Sequence, residues 1–428
     1  MFERVYSAYT QASNLQSAMQ HPDAPGMHNM ASGGDSYTRV SYRQNQGYLS
    51  RVGGSIMGIF VGFGIVCASC CLLFFNEGRA VRTAQSLDEG LRLVQPLTNL
   101  DVAFDHNNGK LVHLTGQLQT NEVLSDSLYG VAVTAVKLRR KVEMYQWVEH
   151  SHTREFKEGS QTRTETTYTY SKEWRSNVVN SGSFNSPYNH QNPGAFLIES
   201  KTYTAPSVQV GNFYLSQNLV GSINKYRKLE PTTPPSDPKI QLFAGIFYHG
   251  RNPQQPEVGD MKVSFEYAGL SGKQDAKIGP PDHVSIIAKQ MGSQLTKYET
   301  NAGNDLEILY EGQFTAQQIF DQEQASNTML TWALRFAGWF IMFVGFGFMT
   351  SIVTTIVDWL PIVREIVSLG VAALNMTLSI SLSLTVIALG WIRYRPLLGF
   401  TILAMAATPF VLQKMRVRAQ EKKYNRNH

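Results

Sequence analysis

The sequence holds only three cysteines, Cys67, Cys70 and Cys71, and all of them lie inside one apolar run, so the long polar middle of the chain has none. A disulfide framework is excluded there, and that region must fold around an ordinary hydrophobic core, which a segment of its size can build without covalent staples. The motifs of common catalytic chemistry are missing too: there is no glycine-rich phosphate loop, no His-Glu-x-x-His helix and no Gly-x-Ser-x-Gly elbow. No enzymatic activity, cofactor, metal or nucleic-acid partner is therefore expected. Residues 76–335 also contain no Asn-x-Ser/Thr acceptor, so native glycosylation cannot report which side of a membrane they occupy.

Charged residues make up 17% of the chain, and the formal excess of +5 is not spread evenly. The tail 413–428 carries Lys414, Arg416, Arg418, Lys422, Lys423 and Arg426 against Glu421, which accounts for that excess by itself. Such a tail suits a juxtamembrane segment beside anionic lipid.

What the chain does have is long apolar runs at both ends of its polar middle. Residues 52–75 are uncharged and long enough to cross a hydrocarbon layer of about 30 Å. This run starts too far into the chain for a cleaved signal peptide, and residues 1–51, rich in Tyr, Gln, Ser and Gly, read as a disordered cytosolic or nucleoplasmic N-terminus. A second span is expected over 336–357, closed by Asp358 and Trp359, and a third over 366–392. A fourth, 397–412, is only about 24 Å long by the helical rise, so it crosses a thinned bilayer or re-enters. Arg39, Arg43 and Arg51 before the first span and the basic tail after the last put both termini on the cytosolic side, and the middle domain in the lumen. Arg393 and Arg395 oppose this orientation unless they snorkel to headgroups.

Two patterns within the spans concern packing. Gly54, Gly58 and Gly62 recur every four residues and would let another backbone approach the first span closely. In the third span Asn375, Ser379 and Ser383 form one polar stripe, and Thr377, Ser381 and Thr385 another nearly opposite. The helix is thus expected between two neighbours, with a polar conduction pathway as the sharper alternative. The cysteines read as packing residues or palmitoylation sites rather than metal ligands.

Between the first two spans the periodicity changes. Residues 76–95 read as an amphipathic helix, lying on the domain or on the bilayer surface. Strands are expected over 110–119, 131–149, 162–174, 207–215, 240–248, 261–267 and 284–289, with 131–149 and 162–174 as a long hairpin whose tip lies near Glu158, Gly159 and Ser160. The proline-rich stretch 231–238 reads as a sub-domain boundary or a long loop, and 315–331 as a helix leading into the second span. The fold class is α+β: four transmembrane helices with a large, mostly β lumenal domain (76–335) inserted between helices 1 and 2. On one strand face Lys137, Arg139 and Lys141 form a candidate site for a lipid headgroup or acidic partner, against the plainer reading of a solvated face. His150 and His152 share a face and read as solvated hairpin residues before metal ligands.

Several stretches, in order, resemble the LUMA family (transmembrane protein 43 family): Asn-Glu-Gly-Arg-Ala from Asn76, Val-Lys-Leu-Arg-Arg-Lys-Val-Glu-Met-Tyr-Gln-Trp-Val-Glu from Val136, Glu-Trp-Arg-Ser from Glu173, Pro-Glu-Val-Gly-Asp from Pro256, Tyr-Ala-Gly-Leu-Ser-Gly from Tyr267, Val-Asp-Trp from Val357 and Tyr-Arg-Pro-Leu from Tyr394. The resemblance covers roughly residues 50–415; the N-terminal fifty do not match, and the tail is longer and more basic than the family pattern. It implies a four-span protein of the endoplasmic-reticulum and inner nuclear membranes with a large lumenal domain. It further implies self-association and association with emerin and the lamins, and carries over no catalytic residue. The function expected is a membrane scaffold, a homo-oligomer among membrane lipids. The alternative is a channel or transporter component using the third span.

Overall fold

The computed structural model describes residues 28–32, 36–44, 48–158, 161–271, 278–357 and 361–397. Three of its helices are long: α1 (Tyr48–Leu93), α3 (Ala316–Ile356) and α4 (Pro361–Tyr394), with the short α2 (Gln217–Ser222) inside the domain. Each long helix carries a stretch apolar and long enough to cross a membrane. Large side chains facing outward there are apolar, Phe60 and Leu369 being 71% and 75% exposed, as hydrocarbon-facing positions require, while the small polar Thr377, Ser381 and Thr385 of α4 are exposed too. The proposed fourth span, Asp358–Trp359 and the basic tail lie outside the described residues.

The first span and the amphipathic helix expected after it form one uninterrupted helix, because no proline or glycine pair breaks the chain between them. The same holds for α3, which starts at a capping box: Thr315 Oγ1 accepts from Gln318 N, and the Gln318 side chain accepts from Thr315 N. In α1 the buried positions Gly62, Val66, Ser69, Leu73 and Asn76 follow a four-three spacing. That is the seam of a helix wound against one neighbour, and the neighbour is α3, running antiparallel. Ser55 meets Thr355 at one end, Ser69 Oγ donates to Gly338 O midway, and Gln324 Nε2 donates to Ala84 O near the other.

At its far end the pair seats on a β domain. Leu87 of α1 and Ile319 and Phe320 of α3 bury against Leu111 and Ile287 of the underlying sheet, so the last turns of the helix expected over 76–95 lie on the domain, and the helix ends at Leu93. His113 Nε2 bonds Phe314 O (3.0 Å), and burial holds its imidazole below the ordinary histidine range. Tyr310 donates to Glu323, and burial pushes its phenol up to about 12.

The domain is two sheets packed face to face. Strands β1 (His28–Ser32), β2 (Ser36–Gln44), β4 (Ala135–Glu158), β5 (Gln161–Arg175) and β7 (Met261–Leu270) run β1-β2-β5-β4-β7 in a nine-stranded sheet, with β6 (Lys201–Thr204) on β4. The seven-stranded sheet centres on β8 (His283–Met291), which pairs antiparallel with both β3 (Leu111–Gln119) and β9 (Ile308–Glu311). Alternation assigns the faces: Val284, Ile286 and Ala288 enter the inter-sheet core with Val136, Leu138, Val142 and Phe265, while Ile287 faces the helices. Both sheets share that core, and the strands on either side of 231–238, Arg227–Leu229 and Ile240–Phe243, belong to one sheet; the prolines mark a loop, not a boundary. Two stretches expected as single strands are tight hairpins. Ala244 (φ 49°) and Gly245 (φ 73°) turn the chain within 240–248, and Gly211 (φ 57°) within 207–215.

Where disorder was expected at the N-terminus, the structure adds β2 along β5 from Ser36↔Thr169 to Gln44↔Gln161, with Arg39 opposite Thr166 and Arg43 opposite Thr162. Alternating Thr38, Val40 and Tyr42 suit a strand once an edge is offered. This pairing has a topological cost. Only residues 45–47 separate Gln44 from Tyr48, so the hairpin tip lies within about 20 Å of the start of α1. From there to Phe75 α1 rises about 42 Å, and β4 beyond Met144 extends about 46 Å. A bilayer crossed by 52–75 would hold the exposed His150, Glu155 and Lys157 at its depth, where charges and open sheet edges are not tolerated. Strand addition and bilayer crossing therefore exclude each other in one chain. Each large apolar side chain placed in hydrocarbon contributes about 1.5–3 kcal/mol, against about 0.2–1 kcal/mol for each cross-strand pair, so a bilayer favours the crossing.

The Thr38 and Thr167 hydroxyls lie 3.2 Å apart. Thr38→Cys/Thr167→Cys should form a disulfide in detergent and stay reduced in intact membranes under the same oxidant, read by gel mobility. Bonding in membranes would place the N-terminus and the hairpin on one side.

Candidate functional site

The polar groups that the sequence sets closest to the apolar runs converge where α1, α3 and α4 leave their spans. Asn76, Glu77 and Arg79 come one turn after the first span, and Asn327, Thr331 and Arg335 occupy the last turns of α3 before the second. Spacings of four put Asn327, Thr331 and Arg335 on one face of α3, and Asn76 and Arg79, three apart, share the face of α1 turned to it, with Glu77 beside them.

Glu77 is the centre. Its carboxylate accepts from Arg335 Nε (2.7 Å) and Nη2 (2.8 Å) in a bidentate pair, and from Trp391 Nε1 of α4 (2.8 Å). Its side chain is 2% exposed and that of Arg335 14%. A buried carboxylate without a partner would be prohibitive beside hydrocarbon; three charge-assisted donors satisfy it. Arg335 also stacks between Trp332 (4.8 Å) and Trp391 (5.7 Å). Gly390 makes room, since a Cβ there would meet Glu77 Cβ at 2.9 Å.

A second network binds α1 to α3 alone. Arg79 donates to Asn327 Oδ1 (3.0 Å), Thr331 Oγ1 (3.0 Å) and Asn76 Oδ1 (3.2 Å), while Asn76 Nδ2 donates to Thr331 O (3.2 Å) and Asn327 Nδ2 to Ala80 O (3.0 Å). Together these bonds lock three helices at one level. They form a mechanical junction.

The glycines found by spacing divide. Gly62 and Gly58 pack within the chain, where a Cβ on Gly62 would lie 2.5 Å from Gly345 O and one on Gly58 3.3 Å from Phe348 O; Gly54 meets nothing within 4 Å. Asn375, Ser379 and Ser383 are buried, Asn375 donating to Thr350 Oγ1 of α3 (2.8 Å) and the two serines bonding the carbonyls of Met376 and Ile380 on their own helix. Ser381, with Thr377 and Thr385, is exposed among the described residues. On β4 the cationic face is largely engaged: buried Lys137 bonds Gly221 O and Asn224 Oδ1, each at 3.0 Å, and desolvation lowers the pKa of its ammonium; Arg139 pairs with Glu266 under Tyr226; only Lys141 of the three is exposed. His150 bonds Glu173 (2.8 Å) and His152 is exposed; among the described residues no three metal-ligating side chains converge. Cys67 and Cys71 are exposed on α1. Arg393 and Arg395 are exposed at the end of α4, and Lys414, Arg416 and Arg418 lie outside the described residues.

Sequence reasoning missed Glu77, Arg335 and Trp391. The available signal was one acidic residue two positions after the first span and one basic residue directly before the second.

Glu77→Gln should lower unfolding free energy by about 3–5 kcal/mol, because it strands the Arg335 charge, and Glu77→Gln/Arg335→Met should lose less than the two single changes together. Chemical denaturation in detergent micelles reads the cycle; simple additivity would show the pair uncoupled. Gly62→Ala should cost about 1–3 kcal/mol by overpacking the helix seam, while Gly54→Ala should be neutral or slightly stabilising.

Residues 144–396 match the family described as Transmembrane protein 43. The chain is 43% identical to Transmembrane protein 43 of Homo sapiens over 387 residues, which cover 90% of this chain and 96% of the human protein. It is 44% identical to that of Mus musculus with the same coverage, and 32% identical over 345 residues to the Transmembrane protein 43 homolog of Drosophila melanogaster, covering 79% of this chain and 89% of the fly protein. No solved structure matches. With its apolar helices and the Asn76–Arg79 junction lying inside the region shared with the human and mouse proteins, the chain belongs to the Transmembrane protein 43 family.

Proposed function

We propose that the protein is a multi-pass scaffold of the endoplasmic-reticulum and inner nuclear membranes, with its β domain in the lumen. It organises the membrane by self-association and by contacts with envelope proteins, emerin and the lamins among them. The observation that carries this reading is the unbroken α1–α3 pair, which enters the domain core at Leu87 and Phe320 and is clamped at Glu77–Arg335. A force or contact on the domain passes into the spans without a hinge, as a scaffold needs.

Gly58 and Gly62 are used inside the chain, so pairing between copies needs another face. Gly53, Met57, Phe60, Gly64, Cys67 and Cys71 are exposed along α1 at the same four-three spacing, away from α3, and we assign self-association to that stripe. The channel reading gains nothing from the hydroxyls of Ser379 and Ser383, which are spent on their own backbone.

A bismaleimide applied to intact membranes should give a dimer through native Cys67 and Cys71. That band should vanish in Cys67→Ser/Cys71→Ser and persist in Cys70→Ser, and proximity labelling should recover envelope proteins. Monomers alone, with no envelope protein labelled, would refute the scaffold.

A further inference from the structure

Beside the Glu77–Arg335 pair is a cavity of about 200 Å³ between α1, α3 and α4, lined in part by Glu77, Thr328, Trp332, Arg335, Trp391 and Arg395. The electrostatics are one-sided. Glu77 uses both oxygens on Arg335 and Trp391, so it has little left to offer a ligand. Arg335 gives it Nε and Nη2 only, and Nη1 has no protein acceptor among the described residues; the Arg395 side chain is exposed at the rim and is likewise without one. With Arg335 and Arg395 both among the lining residues and a single carboxylate already saturated, the cavity carries a net positive charge and unused donors, which is the chemistry of an oxyanion site.

Its level in the molecule selects the anion. The three apolar runs end at Phe75, Phe336 and Ile392, so the cavity stands at headgroup height. Trp332 and Phe336 are 63% and 65% exposed and lie four residues apart on α3, an apolar ladder descending from the cavity into the span. A free phosphate ion has no use for that ladder, whereas acyl chains do.

We propose that this cavity binds the phosphate of a membrane glycerophospholipid, with Arg335 Nη1 and Arg395 holding the headgroup, Trp332 and Trp391 flanking it and the acyl chains running along Phe336. The site goes beyond the scaffold reading and stands whether or not the chain self-associates, since it needs only the three helices in a bilayer.

The test is native mass spectrometry of the full-length protein released from detergent, with dioleoyl phosphatidic acid, dioleoylglycerol or inorganic phosphate added in separate arms. Phosphatidic acid should stay bound, and Arg395→Gln should weaken its retention about tenfold, the loss expected for one charge-assisted hydrogen bond, while Arg395→Lys keeps most of it. Arg393→Gln, beside it in sequence but stacked on Tyr394 outside the cavity, should bind as the native chain does. Equal retention of dioleoylglycerol, binding of inorganic phosphate without lipid, an unchanged Arg395→Gln, or equal losses in the Arg393 and Arg395 variants would each overturn the proposal. An unaltered melting temperature of Arg395→Gln shows that a loss of lipid is not a loss of fold.

Discussion

A carboxylate at the edge of a hydrocarbon layer must be neutralised, and the way Glu77 is neutralised organises this protein. Its partners come from two other helices, Arg335 on α3 and Trp391 on α4, so the charge is satisfied only when all three helices stand at one relative height. Replacing the pair by apolar side chains would often cost little in stability. What the ion pair adds is register. An apolar seam tolerates sliding by a turn, but a bidentate contact fixed to a single carboxylate does not.

Below that level the close approach of Gly62 to Gly345 joins α1 and α3; above it, Leu87, Phe320 and Ile287 bury the same two helices on the β domain. The pair therefore works as one beam, supported by lipid at one end and by protein at the other. The polar networks of Arg79 and Glu77 sit where those two environments change over, the level at which neither hydrocarbon nor protein core alone could hold the helices in register.

Much of this was legible in the sequence, and what was not has physical reasons. The three described spans announce themselves by composition, and the strands of the long hairpin by alternation, because burial on one face needs no partner to be named. The glycine spacing suggested a close backbone approach, which Gly58 and Gly62 make and Gly54 does not, and spacing is silent on whether the partner is another copy or, as for these two, a helix nearly 300 residues away. Glu77 and Arg335 are 258 residues apart, and no local pattern relates them. Lys137 looked like a surface cation because a strand face open in sequence is closed in space by Gly221 and Asn224. Strand β2 was hidden by its polar composition, and its alternation gains meaning only beside β5.

The central claim is that α1 and α3 run as one clamped pair from the bilayer into the domain. Hydrogen exchange of the full chain in lipid nanodiscs addresses it most directly. The account predicts slow exchange continuing without a gap through Asn76–Leu87 and Phe320–Arg335 at the level of the flanking spans. A rapidly exchanging break at Asn76–Ala80 or Asn327–Arg335 would mean a hinge where the structure places a clamp, and would contradict it.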